Sequence, residues 1–177
     1  MSDKLALAKG AEMRPEISSD KPAIEALMHA CFGKGRHLRS VRHLRLCAPY
    51  QDLCFVLTLN GKLVGSIRYW PILVQGKTQL LLGPLAVDPH YKGQGFGKAL
   101  VAHSLDIAHQ HDFDFVLISG EPDYYPRFGF DSASSAQFIW PGFLEPERLQ
   151  IKWLRPQSSK NMTTSSKAIL PILAETV

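Results

Sequence analysis

The chain is poor in cysteine. Cys31, Cys47 and Cys54 are its three, an odd number with no Cys-x-x-Cys pair among them. A disulfide scaffold and a zinc ribbon are thereby excluded, and a reducing compartment, the cytoplasm, is expected. Long apolar runs are missing too. No stretch approaches the roughly eighteen apolar residues of a membrane span, and the N-terminus has no long apolar segment. No membrane partner is therefore expected. His103, His109 and His111 lack the i, i+4 spacing of a helical metal pair, and no metal is expected. Internal repeats are also absent.

What remains is the profile of an ordinary globular domain. With 177 residues and 45% hydrophobic content, the chain suits one domain with a sizeable core. A formal charge of +4 and a pI near 9.0 are mildly basic. That balance fits a polyanionic ligand without requiring nucleic acid.

The most informative segment runs from Leu82 to Leu100. The apolar stretch ending in Val87-Asp88-Pro89 leads into glycines at 93, 95 and 97, and an amphipathic pattern follows at once. Glycine lets the backbone approach a ligand with no Cβ in the way. The unpaired N–H groups and positive dipole end of a helix start bind phosphate. Two familiar phosphate loops do not fit. A Walker loop would need glycine at 92 and Ser or Thr at 99, where Lys92 and Ala99 stand. The dinucleotide fingerprint needs Gly-x-Gly-x-x-Gly and an acidic residue after a second strand, and neither is found.

A second segment follows the apolar run Phe115–Ile118. It reads Glu121-Pro122-Asp123-Tyr124-Tyr125-Pro126-Arg127-Phe128-Gly129-Phe130. Together the two segments resemble the GNAT N-acetyltransferases, whose pyrophosphate loop reads Gln/Arg-x-x-Gly-x-Gly/Ala after a strand ending in Val-x-Pro. Lys92, Gly95 and Gly97 fall on those loop positions. Lys92 departs from Gln/Arg, keeping the charge but not a planar fork. The second segment is similar to the family's bacterial branch with Tyr-Tyr-x-Arg-Phe-Gly-Phe. The resemblance spans roughly residues 12 to 155.

The resemblance implies an α/β fold: a mixed, mainly antiparallel twisted sheet flanked by helices, with a β-α-β core that binds acyl-CoA. It implies acetyl-CoA as co-substrate and direct acetyl transfer to a primary amine in a ternary complex. The pyrophosphate would lie on Lys92, Gly93, Gln94, Gly95, Phe96, Gly97 and Lys98. The thioester carbonyl would be polarised from the strand at Leu85, Ala86 and Val87, with Pro84 marking where that strand parts from its neighbour. Tyr125, four residues before Gly129, takes the position of the general acid. Tyr124 and Phe128 would line the cofactor. Many family members carry a Glu on the strand before the loop, whereas Leu80, Leu81, Leu82 and Gly83 stand here. Glu121, Asp123 and the histidines are candidate substitutes, each also readable as a surface group.

Other functional classes remain open at this stage. One is a CoA-binding or regulatory module without chemistry, for which the missing Glu argues. Another is an RNA- or ribosome-associated protein using the basic run Lys34, Arg36, His37, Arg39, Arg42, His43 and Arg45. That run also reads as a solvated helix face, or as a patch near the acceptor entrance that favours acidic acceptors. Cys31 has no His or Asp pattern to make it a nucleophile and reads as a core residue. The acceptor amine is not identified, and the chain is expected to be a monomer or homodimer.

Along the chain the elements are expected as follows. A short strand ends at Pro15, and a helix carries Ile24, Leu27, Met28 and Cys31. A second helix is expected over 36–46. Strands cover 53–59, 63–74 and 78–87, with Asn60-Gly61 as a type I′ hairpin turn. A helix covers about 95–110, a buried parallel strand 115–118, and a late pair of strands 138–140 and 149–154. The domain is expected to occupy residues 1–155, and 156–177 to be a polar, flexible tail.

Overall fold

Two tight turns organise the centre of the sheet. Asn60 and Gly61 both take positive φ, 50° and 81°, as a type I′ turn requires. They join β2 (Phe55–Leu59) to β3 (Lys62–Val74). Gln75 and Gly76, at 50° and 76°, repeat the device between β3 and β4 (Lys77–Val87). This computed structural model describes residues 7–35, 40–133, 138–161 and 165–174. β1 (Ala11–Pro15) adds antiparallel to β2. β5 (Phe115–Ser119) lies parallel to β4, and β8 (Leu149–Trp153) antiparallel to β5. With β6 (Asp131–Ser132) at the edge, the order is β1-β2-β3-β4-β5-β8-β6. The sheet is mixed and mostly antiparallel, as expected.

Two helices cover it. α1 (Lys21–Phe32) buries Ile24, Leu27 and Met28 against Val56 and Ala86. α2 (Phe96–Ala108) is the crossover between the parallel strands and packs Leu100, Val101 and Leu105 onto Ile67, Leu80 and Leu82. Alternate β4 residues therefore serve opposite faces, since Leu81 belongs to a separate cluster with Leu44, Ile72 and Leu117.

The expected break at Pro84 is present in two forms. Against β3, Ile67 pairs Leu85 and Tyr69 pairs Leu82, so Arg68 alone faces Gly83 and Pro84. That is a bulge, where Pro84 need not donate to the ladder. Against β5, pairing consists of Leu80 with Val116 and Leu81 with Leu117. Beyond them the strands part.

Three expectations need correction. The helix over 36–46 is, in its described part, a 3₁₀ turn at Ser40–Leu44. Leu44 is its buried residue, too little apolar stripe to hold a longer helix, and residues 36–39 lie outside the described residues. The late strands do not pair with each other: β7 (Phe138–Ile139) pairs the C-terminal β9 (Lys167–Pro171), while β8 pairs β5 and β6. Nor is 156–177 a free tail over its described length. Pro156–Asn161 form the short α3, and β9 pairs Ile72, Leu73 and Val74 of β3 through Pro171, Leu170 and Ile169. The polar first part of the segment leads into a short apolar stretch, where outward Ala168 and Leu170 alternate with inward-facing Lys167 and Ile169. Ile169, 2% exposed, enters the cluster of Leu44 and Leu81. Ile169→Ala is therefore expected to cost about 2–5 kcal/mol in chemical denaturation; a change under roughly 0.5 kcal/mol would show that the segment adds nothing to the core.

Candidate active site

The head of α2 is built by glycine. Gly93 and Gly95 both have φ of +82°, a region that side chains rarely adopt, and Gly95 is the residue from which the helix starts. Ala99 N–H is bonded back to Gly95 O at 2.9 Å. The N–H groups of the first turn have no such carbonyl within the helix. The loop is set by Asp88, whose carboxylate accepts from His90 Nδ1 (2.8 Å), His90 N (3.0 Å) and Lys62 Nζ (3.2 Å). The His90 hydrogen bonds, aided by Lys62, hold its pKa down at about 2. Its negative charge is thereby partnered away from the helix head.

From this loop a cleft of about 1040 Å³ runs along the gap between β4 and β5. Leu85, Ala86, Val87, Lys92, Gly93, Gly95, Phe96, Gly97, Lys98, Tyr124 and Tyr125 all line it. Gln94 and Phe128, also expected at the site, are not among its lining residues. Gln94 is exposed, and Phe128 packs on the rings of Tyr124 and Tyr125 at 5.6 and 6.4 Å. The Phe96 side chain is 1% exposed and belongs to the core under the loop.

The two tyrosines meet edge to face at 4.9 Å but do different things. The Tyr124 hydroxyl lies over Gly97, where a Cβ would come within 2.9 Å of it. Burial raises its pKa, opposed by Arg127, whose guanidinium sits 5.0 Å from the ring centroid. The Tyr125 side chain is buried and packs on Gly120, where any Cβ would lie 2.3 Å from its ring. Beneath them Tyr69 is fully buried, its hydroxyl 2.9 Å from Ser104 Oγ. Burial pushes the Tyr69 pKa up, with a smaller contribution from Tyr125.

The opposite end of the cleft includes part of the basic run expected as a patch near the acceptor entrance, beside residues that were not foreseen. Arg68 and Trp70 of β3, Glu25 of α1, and Arg42 and Arg45 of the 3₁₀ turn and its exit line it. Arg68 is bidentate to Glu16, at 2.6 and 2.7 Å. Burial works against its charge, and the Glu16 bonds and charge still hold its pKa above the ordinary value. An Arg in an otherwise apolar strand was a legible signal. Glu25 and Trp70 gave none, because nothing local shows that α1 and the 40–46 segment cover one stretch of sheet. Glu25 and Glu121 are the carboxylates that line the cleft among the described residues, and Glu121 is 2.9 Å from Arg148. Asp123 is exposed and does not line it. Cys31 donates from Sγ to Val87 O at 3.3 Å, and burial raises its pKa, the wrong direction for a nucleophile. Among the described residues no group of three or more His, Cys, Asp or Glu could hold a metal, and no helix is long and apolar enough to cross a membrane.

Comparison with known proteins agrees with this geometry. A model of the acetyltransferase (GNAT) family matches residues 21–130. The N-acetyltransferase YhbS of Escherichia coli K12 is 35% identical over 135 residues, covering 73% of this chain and 80% of that protein. The crystal structure of Escherichia coli YhbS in complex with CoA matches with a TM-score of 0.73 at 28% identity, over 94% of this chain and 92% of that one. A GNAT acetyltransferase from Brucella melitensis in complex with acetyl-CoA shares the fold, with a TM-score of 0.62 at 22% identity over 82% of this chain and 89% of that one. This chain therefore belongs to the acetyltransferase (GNAT) family.

Proposed function

We propose that the protein transfers an acetyl group from acetyl-CoA to a primary amine by direct attack in a ternary complex, and that it does so in the cytoplasm. One observation carries the reading. β4 leaves β5 beyond Leu81 and Leu117, and the freed stretch opens into the same cleft as the glycine loop. The CoA and acetyl-CoA bound by relatives are the ligands such a cleft would take. The loop fits a pyrophosphate: a Cβ at Gly93 would meet nothing within 4 Å, so there is open space above the backbone.

Each residue then has a role. The N–H groups of the loop from Lys92 to Lys98 hold the phosphates, and the two lysines add charge. Backbone N–H groups on Leu85 to Val87 that β5 does not take polarise the acyl carbonyl. Acetyl-CoA supplies an activated thioester. The attacking amine is neutral; an α-amine with pKa of about 8 reaches that state with little help, a Lys ε-amine near 10.4 with more. Tyr125 protonates the departing thiolate, as a phenol of pKa about 10 can. A CoA-binding module without chemistry is the second reading, favoured by the small number of cleft carboxylates. Thiol release with any amine from a panel of amino acids, peptides, polyamines and aminoglycosides decides against it.

Two outcomes follow from these roles. Gly93→Asp places a negative charge on the loop where a Cβ would meet nothing within 4 Å, at a φ of +82° that strains any side chain, Asp less than most. Calorimetry should show CoA affinity falling at least tenfold, about 1.4 kcal/mol, in a protein that still unfolds cooperatively. Unchanged affinity would remove the loop from the phosphate site. Tyr125→Phe keeps the ring on Gly120 and deletes the hydroxyl. Turnover should drop about 100-fold with little change in acetyl-CoA affinity. Tyr124→Phe should act mainly on affinity, because its hydroxyl lies at Gly97 rather than deep in the cleft. The reverse pattern in single-turnover measurements would assign the acid to Tyr124.

A further inference from the structure

We infer that Arg127 seats the ribose 3′-phosphate of CoA, so that the site tells CoA from its 3′-dephospho form. The inference deepens the reading above and rests on it, since it takes the pyrophosphate to lie on the loop from Lys92 to Lys98. Arg127 belongs to the 3₁₀ turn Pro126–Phe128, which directly follows the two tyrosines. Its side chain is exposed and lines the cleft. The guanidinium carbon stands 5.0 Å from the centroid of the Tyr124 ring. The hydroxyl of that same ring lies over Gly97, in the first turn of α2. One tyrosine ring thus separates the guanidinium from the helix head.

The other arginines of the cleft are engaged elsewhere. Arg68 is bidentate to Glu16, and Arg148 is bonded to Glu121. Arg42 and Arg45 have partners of their own at the opposite end. Arg127 rests on the Tyr124 ring, and among the described residues no carboxylate pairs with it, Asp123 of the same loop included. Stacking occupies the flat face of a guanidinium and leaves its edge N–H groups for a phosphate, which they can grip in pairs. A fork already held against a ring also loses less freedom when a ligand arrives.

The shape of the ligand selects which phosphate. The pantetheine arm enters the gap beside Leu85–Val87, so the nucleotide end of CoA lies outward from the loop. There a phosphate monoester stands one ribose away from the pyrophosphate, much as Arg127 stands one ring away from the helix head. The monoester carries about −1.5 to −2 charges at pH 7, and its terminal oxygens suit a guanidinium edge. The acidic side chain of the loop, Asp88, is taken up by His90 and Lys62 and does not oppose it.

Calorimetry with CoA and 3′-dephospho-CoA tests the seat without any acceptor amine. At low ionic strength the unmutated protein should bind CoA about fivefold tighter or more, and the ratio should shrink with added salt because the side chain is exposed. Arg127→Gln should bring the ratio within about twofold by weakening CoA alone. Arg127→Lys, which keeps the charge without the fork, should retain part of it. Lys98→Gln, beside the pyrophosphate, should weaken both ligands alike. Equal affinity for the two ligands in the unmutated protein overturns the inference before any variant is made. So does a ratio that survives Arg127→Gln. Equal weakening of both ligands by Arg127→Gln overturns it as well, moving Arg127 to the pyrophosphate. Failure of the loop reading looks different: Gly93→Asp would then leave CoA affinity unchanged, whatever Arg127→Gln does to the ratio.

Discussion

A strand inside a sheet keeps its backbone donors and acceptors paired on both sides, and β4 stops doing so in its second half. The cleft opens along that interruption. Gly83 and Pro84 make it possible: one takes a φ of +122°, the other has no N–H to lose. The bulge also restores the phase of the strand. Leu82 before it and Leu85 after it both face α2, so the core beneath is continuous although the ladder is not. The freed backbone is left as binding surface in a cleft, where an extended ligand can take the place of the missing strand partner.

Charge is distributed unevenly along the same line. At one end Lys92 and Lys98 stand beside a helix head, while the nearby Asp88 is neutralised by His90 and Lys62. At the other, guanidinium groups gather on a face that also holds Trp70. Between them the lining is apolar and aromatic, with Leu85, Ala86 and Tyr125. Two polar ends around a drier middle bind ligands by their ends and leave the reacting centre where water competes least.

Much of this was legible in the sequence. Asn60-Gly61 fixed a hairpin because only a turn with two left-handed residues matches strand twist. The alternating glycines marked the helix head, and Pro84 marked the break, since each reports a local backbone demand. The apolar run Phe115–Ile118 read as a buried parallel strand and is one. The losses were non-local. β9 reads as part of a short apolar stretch broken by Pro171, and its partner on β3 lies far back in the chain. The 3₁₀ turn at Ser40–Leu44 is held by one leucine in a cluster assembled from distant strands. Arg45, Trp70 and Glu25 come from three elements that only tertiary packing brings together. Aromatic spacing identified Tyr124 and Tyr125 as a pair, but only the Tyr124 hydroxyl over Gly97 and the Tyr125 ring on Gly120 tell the two apart.

The pairing of β9 with β3 has a consequence for how the molecule is made. β9 occupies the edge of β3 at Ile72–Val74 and places Ile169 beneath Leu44, the residue that seats Arg45. During synthesis the central hairpins and the helix-headed crossover can assemble before residues 167–171 leave the ribosome. The nascent domain at that moment shows a bare strand edge, a template for pairing with another chain. Pairing of β9 on Ile72–Val74 removes that template from the finished fold.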